Sequence, residues 1–230
     1  EAMRVEAPLP ALGADEIGEL ERHINVLVSR VAEQTEALDR LAATDGLTEL
    51  PNRRRLDAFM ASLRERGKVE GADRRRAGEG GRTADGAGRS GPTVACVLID
   101  VDFFKRYNDR YGHAAGDRVL RAVADALKTS VRGEGDLACR YGGEEFVLVL
   151  PDTGLEGAEA VAERARRAVE SLAIPHAASE VAAVVTLSAG VAAAPRDETF
   201  DPAALLAAAD AALYEAKGAG RNRVLPSRGW

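Results

Sequence analysis

The amino-acid sequence predicts an α/β fold: a mixed central β-sheet of about five strands flanked by helices. Three observations carry that expectation. Short apolar runs of strand length, such as Thr93-Val-Ala-Cys-Val-Leu-Ile99, recur along the chain. Longer stretches between them have apolar residues stepping by three and four. Gly142-Gly143 joins two apolar runs as a ready hairpin turn. The hairpin pair is antiparallel, whereas strands separated by helices can return in parallel, so the sheet is expected to be mixed. With 230 residues, 46% of them hydrophobic, the chain can bury a core of its own.

Taken in order, the first element is a helix. Ile17, Leu20, Ile24, Leu27, Val31, Leu38 and Leu41 follow a heptad stripe, with Gln34 on the same seam. Over about three and a half heptads this predicts a parallel two-stranded coiled coil in which Gln34 sets the register; an amphipathic helix packed on its own domain is the alternative. Asp15-Glu16-Ile17-Gly18-Glu19-Leu20, followed by Asn25, resembles the end of a HAMP signalling module. Residues 1–41 are therefore expected to form a HAMP-like tail and signalling helix, with an upstream sensor and membrane segment in the full-length protein.

Residues 42–230 form the second expected unit. A helix is predicted over about 52–63, then a flexible insertion at about 64–92, rich in Gly, Arg and acids, with Val69 its only large apolar residue. A strand follows at 93–100 and a helix at 115–131, with Leu120, Val123 and Leu127 on one face. Two short strands flank Gly142-Gly143. Then come a helix at 157–172, a strand at 181–192, a helix at 202–217 and a last strand from near residue 222. Asp201 as N-cap, Pro202 at the first position and Gly218 just past the end bracket the last helix.

A net charge of -6 argues against a nucleic-acid duplex as partner, since such domains present a basic face. Cys96 and Cys139 each lie within an apolar run, without metal-ligand spacing, and are expected to be buried thiols in a reducing cytoplasm. No run approaches the roughly 18 apolar residues of a membrane span, and the start lacks a signal-peptide pattern. The expectation is a soluble cytoplasmic domain.

The chemistry concentrates where the strand at 93–100 ends in Asp100-Val-Asp102-Phe-Phe-Lys105. Carboxylates at the C-terminal end of a buried strand stand where open sheets place ligands. If the strand continues, Asp100 and Asp102 are expected to alternate to opposite faces, so that only one shares a site with the hairpin. If that strand lies beside the hairpin, Asp100 and Glu144 converge on Mg²⁺, an ion that prefers hard oxygen ligands and a polyphosphate. Gly142 and Gly143, without side chains, let a phosphate approach the turn. Asn108, on the connecting loop, and Asp117, at the next helix start, offer an acceptor and an amide to the guanine edge; for Asp117, a macrodipole charge is the competing explanation. Lys217 and Arg221 are cations at a helix C-terminus, suited either to that dipole or to phosphate.

The ordered series Asp45-Gly-Leu-Thr-Glu-Leu-Pro-Asn-Arg-Arg54, Leu98-Ile-Asp-Val-Asp-Phe-Phe-Lys105, Asn108-Asp109, Tyr111-Gly-His113, Gly116-Asp117, Arg140-Tyr-Gly-Gly-Glu-Glu-Phe146, Ser188-Ala-Gly-Val191, Ala209 to Lys217 and Gly220-Arg-Asn222 resembles a GGDEF-family diguanylate cyclase, over about residues 42–226. The resemblance implies a nucleotidyl-cyclase, palm-like fold and the condensation of two GTP into cyclic di-GMP with release of two pyrophosphates. It implies two Mg²⁺ per active site, with Mn²⁺ as the alternative ion, held by Asp100, the Val101 carbonyl and Glu144. Glu144 would help deprotonate the attacking 3′-hydroxyl, and Glu145 would support the turn. Phe103, Phe104, Lys105, Lys217 and Arg221 would bind the β- and γ-phosphates, and Asn108 and Asp117 would read guanine. His113 stands near the nucleotide or caps the loop. Each domain of that family holds one GTP, so a homodimer through the coiled coil is implied.

Two departures stand out. The family's product-inhibition motif is Arg-x-x-Asp; here Asp136 is in place, Gly133 stands three residues before it, and Arg132 is one position too far. Arg164 sits where the family often has a second product-binding arginine, leaving a degenerate site of Arg132, Asp136 and Arg164. Glu49 replaces the usual Gly of the first motif. A catalytically idle GGDEF domain that senses GTP or cyclic di-GMP is the alternative function.

Overall fold

The computed structural model describes residues 18–20, 22–30, 43–76, 92–131, 133 and 135–228, with side chains 70–76 excepted. The chain divides into two compact units, Glu1–Thr44 and Asp45–Trp230. In the first, residues 18–20 and 22–30 are helical, and Leu20, Ile24 and Leu27 of the expected seam are solvent-exposed. Ile17, Val31, Gln34, Leu38 and Leu41, and all of the HAMP-like stretch before Gly18, lie outside the described residues.

The second unit is built in the order α1 (Arg53–Arg76), β1 (Thr93–Val101), α2 (Phe104–Tyr111), α3 (His113–Ser130), β2 (Leu137–Gly142), β3 (Glu145–Pro151), α4 (Leu155–Ser171), β4 (Leu187–Pro195), α5 (Pro202–Gly218) and β5 (Val224–Pro226). The strands form one sheet in the order β2-β3-β1-β4-β5. β1 runs antiparallel to both β3 and β4, and β4 pairs in parallel with β5, so the sheet is mixed as predicted.

β1 is buried on both faces, which is why its sequence is a continuous apolar run rather than an alternation. Ala95, Val97, Ile99 and Val101 point into a core closed by α3 and α4, through residues such as Val123, Leu127, Ala162 and Val169. Val94, Cys96 and Leu98 point into a second core closed by α1 and α5, through Leu56, Leu63, Leu205 and Leu213. Each such Leu, Ile or Val contributes about 1.5–3 kcal/mol by leaving water. Burial pushes the Cys96 and Cys139 thiols up to about 12, so both are inert packing groups.

α5 starts where predicted. Asp201 accepts a hydrogen bond from the Ala203 N–H at 3.0 Å, with Pro202 behind it. This helix lies so close to β4 that a Cβ on Gly190 would come within 2.1 Å of the Ala209 carbonyl oxygen. Only glycine fits there.

Three expectations are corrected. α1 runs on to Arg76, well past 63, so nearly the first half of the supposed insertion is helical. Arg, Glu and Lys are good helix formers, Lys68 pairs with Glu65 at 2.7 Å, and Gly67 is buried where a Cβ would strike the Asp197 carbonyl oxygen. Residues 77–91 lie outside the described residues. The stretch after Asp102, expected as a loop, holds α2, whose Phe104 and Tyr107 form a buried edge one turn apart. β4 begins at Leu187 rather than 181. The residues before it form a connection tied by the Pro175–Val184 bridge and by the Val185 N–H to the Ile174 carbonyl at 2.8 Å.

No helix among the described residues is long and apolar enough to cross a membrane. Glu49, in the position the resemblance gives to Gly, has φ 58 and closes a turn in which the Glu49 N–H donates to the Asp45 carbonyl and the Asp45 N–H to the Leu50 carbonyl. The preference for Gly there follows from that left-handed backbone.

Candidate active site

The carboxyl end of β1 carries the chemistry. Register places Asp100 opposite Glu145 on β3 and Ser188 on β4. The Val101 N–H donates to the Glu144 carbonyl at 3.3 Å, which brings the hairpin tip against the strand end. Asp100 is largely buried, and its Oδ2 lies 2.7 Å from Lys217 Nζ at the end of α5. Burial pushes the Asp100 carboxyl up to about 6, Lys217 opposes the rise, and the charges of Glu144 and Glu145 add to it.

Asp102 does leave the site, although not because of strand alternation. Residues two apart on a continuing strand share a face; the strand ends at Val101, and Asp102 turns inward. It is buried, accepting hydrogen bonds from Thr186 Oγ1 at 2.8 Å, Ser188 Oγ at 2.7 Å and the Asn222 N–H at 3.1 Å. Those bonds hold the 221–222 turn beside the end of β1. Arg221 and Asn222 both take positive φ, of 60 and 45.

The hairpin tip is open. A Cβ on either Gly142 or Gly143 would meet nothing within 4 Å, and Gly143 has φ 52. Arg140 grips this turn from beneath. Its Nε and Nη2 donate to the Gly143 carbonyl at 3.0 and 2.7 Å, while its Nη1 donates to both Asp45 oxygens at 2.9 and 3.1 Å. Burial raises the Asp45 carboxyl, but hydrogen bonds from Thr48 and Arg140 outweigh it and hold the group below the ordinary value. Both residues stand in the quoted motifs, yet 95 positions separate them, and no short-range pattern pairs them.

Phe103 takes φ 55 in the turn from β1 into α2. The guanidinium of Arg221 lies 4.3 Å from its ring centroid and that of Arg106 lies 4.9 Å from it. Phe104 is buried and Lys105 exposed. Asn108 lies on α2, not on a loop, and its buried Oδ1 has no hydrogen-bond partner. A Cβ on Gly116 would fall 1.9 Å from that oxygen, so the glycine leaves the amide its place. Asp117 is half-buried just past the first turn of α3, and His113 is exposed at its start, with no hydrogen bond that would make it a loop cap.

The expected product-inhibition residues are engaged elsewhere. Arg164 donates through Nε and Nη2 to the Ser130 carbonyl at 3.1 and 2.6 Å, capping α3. Asp136 Oδ2 accepts from the Gly133 N–H at 2.7 Å. Arg132 lies outside the described residues.

Among the described residues no three His, Cys, Asp or Glu side chains converge as a metal cluster. Two carboxylates and one carbonyl suit a magnesium ion that keeps waters and meets a polyphosphate. The charges of Glu144 and Glu145 acting on Asp100, with Lys217 as the cation bonded to it, suit such an ion.

Comparison with known proteins places this geometry. The family profile described as "Diguanylate cyclase, GGDEF domain" matches residues 82–223. Response regulator PleD of Caulobacter vibrioides is 42% identical over 185 residues, 80% of this chain and 36% of PleD. Diguanylate cyclase A of Treponema denticola is 44% identical over 149 residues, 64% of this chain and 38% of that protein. The chain thus spans less than two fifths of the length of these relatives. The crystal structure of the coiled coil and GGDEF domain of DgcB from Caulobacter crescentus, in complex with c-di-GMP, has a TM-score of 0.65 and 28% identity, covering 92% of this chain and all of that one. With a profile match over most of the cyclase unit and the signature turn at the end of a mixed sheet, the chain belongs to the GGDEF diguanylate cyclase domain family.

Proposed function

We propose that the chain joins two GTP molecules into cyclic di-GMP and two pyrophosphates, each site holding one nucleotide and two sites meeting in a homodimer. The observation that carries this reading is the Asp100 carboxylate at the end of β1, beside the Glu144 turn and bonded to Lys217. Asp100, the Val101 carbonyl and Glu144 would hold Mg²⁺ or Mn²⁺. When bound, the ion supplies charge neutralisation at the phosphates and acidifies the attacking hydroxyl. Glu144 accepts the proton of the 3′-hydroxyl; the 3′-oxygen bonds to the α-phosphorus of the facing nucleotide as its bond to the β-phosphate oxygen breaks. Two such transfers close the ring. Glu145 shapes the turn, and Gly142 and Gly143 leave the space a phosphate needs. The Phe103–Phe104 backbone, Lys105, Lys217 and Arg221 receive the β- and γ-phosphates. Asn108, whose Oδ1 lacks a partner, and Asp117 read the guanine edge, with His113 near the nucleotide.

The exposed apolar stripe of Leu20, Ile24 and Leu27 supports the coiled-coil dimer, as does the coiled coil of the similar DgcB fragment. A soluble cytoplasmic output domain of a membrane receptor is the setting this reading implies. The test is incubation with GTP and Mg²⁺ followed by chromatographic assay. Cyclic di-GMP is the expected product, absent from Glu144→Gln; GTP binding without product would favour the idle sensor instead.

A further inference from the structure

One buried imidazole has no task in that reading. His176, 1% exposed, stands in the connection between α4 and β4, with Nε2 3.2 Å from the Phe103 carbonyl oxygen. A carbonyl only accepts, so Nε2 carries the proton; Nδ1 is buried with no hydrogen-bond partner, which leaves the ring as the neutral Nε2–H tautomer. Burial, which holds this histidine below its ordinary pKa, acts in the same direction. The ring meets Tyr107 edge-on, with centroids 5.1 Å apart. The same connection grips α2 twice more, through the Ala177 N–H to Tyr111 Oη at 3.1 Å and the Arg106–Glu180 ion pair.

The residue that His176 touches needs holding. Phe103 is a bulky residue at φ 55 and ψ 28, a left-handed conformation that such side chains rarely adopt unless their surroundings enforce it. Its carbonyl accepts two hydrogen bonds, from His176 and from the Tyr107 N–H at 3.0 Å. This single residue turns the chain out of β1 and into α2. The N–H groups of Phe104 and Lys105, in the first turn of α2 and so without intrahelical acceptors, stand there just past the carboxyl end of β1.

We propose that His176 is the positioning residue of this turn: its Nε2–H fixes the Phe103 carbonyl, and with it the backbone N–H groups offered to the nucleotide's β- and γ-phosphates. This rests on the reading of the turn as a phosphate site, and the experiment separates the two. His176→Met keeps bulk without a donor, whereas His176→Gln returns an N–H at similar reach. Equilibrium dialysis is expected to show His176→Met binding GTP about tenfold more weakly, the loss of about one such hydrogen bond. Guanosine, which has no phosphate, should stay within about twofold, and His176→Gln should recover most of the GTP affinity. In nucleotide-free protein, amide exchange at Tyr107, whose N–H bonds the Phe103 carbonyl, should quicken in His176→Met and not in His176→Gln. In a Phe103→Gly background, where left-handed backbone costs nothing, His176→Met should have little further effect. Equal losses for GTP and guanosine overturn the proposal, as does unchanged GTP affinity. With unchanged affinity, faster exchange places the fault in the phosphate reading of the turn, and unchanged exchange places it in the His176 contact.

Discussion

Burial and the neighbouring charges of Glu144 and Glu145 hold the Asp100 carboxyl at about 6 despite Lys217, so the metal-free protein carries an ionised acid that its surroundings disfavour. Because that value lies above the ordinary 3.8, the folded state binds the proton more tightly than the unfolded chain, and stability is lost as pH rises between about 4 and 6. Asp100→Asn is therefore expected to abolish cyclisation and yet stabilise the metal-free fold, by on the order of 2–3 kcal/mol at pH 8 and by less at pH 5. Denaturant titrations of both proteins in chelator at the two pH values measure this, and a gap that narrows toward pH 8 would refute it. Gly116→Ala tests the base reader: the added Cβ overlaps Asn108 Oδ1, so GTP affinity should fall about tenfold although alanine favours the helix. In an Asn108→Ala background the same change should cost nothing, which a double-mutant cycle on binding would reveal. Asp100 and Glu144 were legible in the sequence because each abuts a recognisable local feature, a strand end and a Gly-Gly turn. His176 was not, since its partner lies 73 residues away and a lone histidine carries no pattern.

At the scale of elements, β1 could be read as a continuous apolar run, the hairpin from Gly142-Gly143, α3 and α4 from an apolar face of helical period, and α5 from its end signals. α2 escaped because eight residues with five polar or charged side chains show only Phe104, Tyr107 and Tyr111 as a stripe. β4 was drawn too long because Val181 to Val185 is apolar without pairing as a strand of the sheet; Val185 packs on the core from the connection instead. The Arg140 tether joins elements that periodicity treats as unrelated. Arg140→Ala should release the Gly143 carbonyl and leave Asp45 without its cation, lowering turnover at least tenfold with a modest change in melting temperature. Product assays and thermal unfolding of the same preparation check it; full turnover would show that the turn holds its shape alone. Arg164 is spent on the end of α3 and Asp136 on Gly133. Added cyclic di-GMP is accordingly expected to inhibit only weakly. Strong inhibition in a titration, removed by Arg132→Ala, would show a rebuilt site.

For the whole molecule, the proposed reaction asks for two nucleotides where each chain would offer one site. Leu20→Asp with Leu27→Asp puts carboxylates on the exposed apolar stripe, and burying them in a dimer is costly. Sedimentation should show monomers that bind GTP but form little product; an intact dimer would rule out this seam. Asp45 opens the cyclase unit and, through one guanidinium, is bonded to the carbonyl of Gly143 in the signature turn. Any displacement of Asp45 would therefore reach the Gly143 carbonyl through one side chain, that of Arg140 on β2. Such a linkage would work as a crank: its throw is one side chain long, and the part it would turn is the one that carries Glu144.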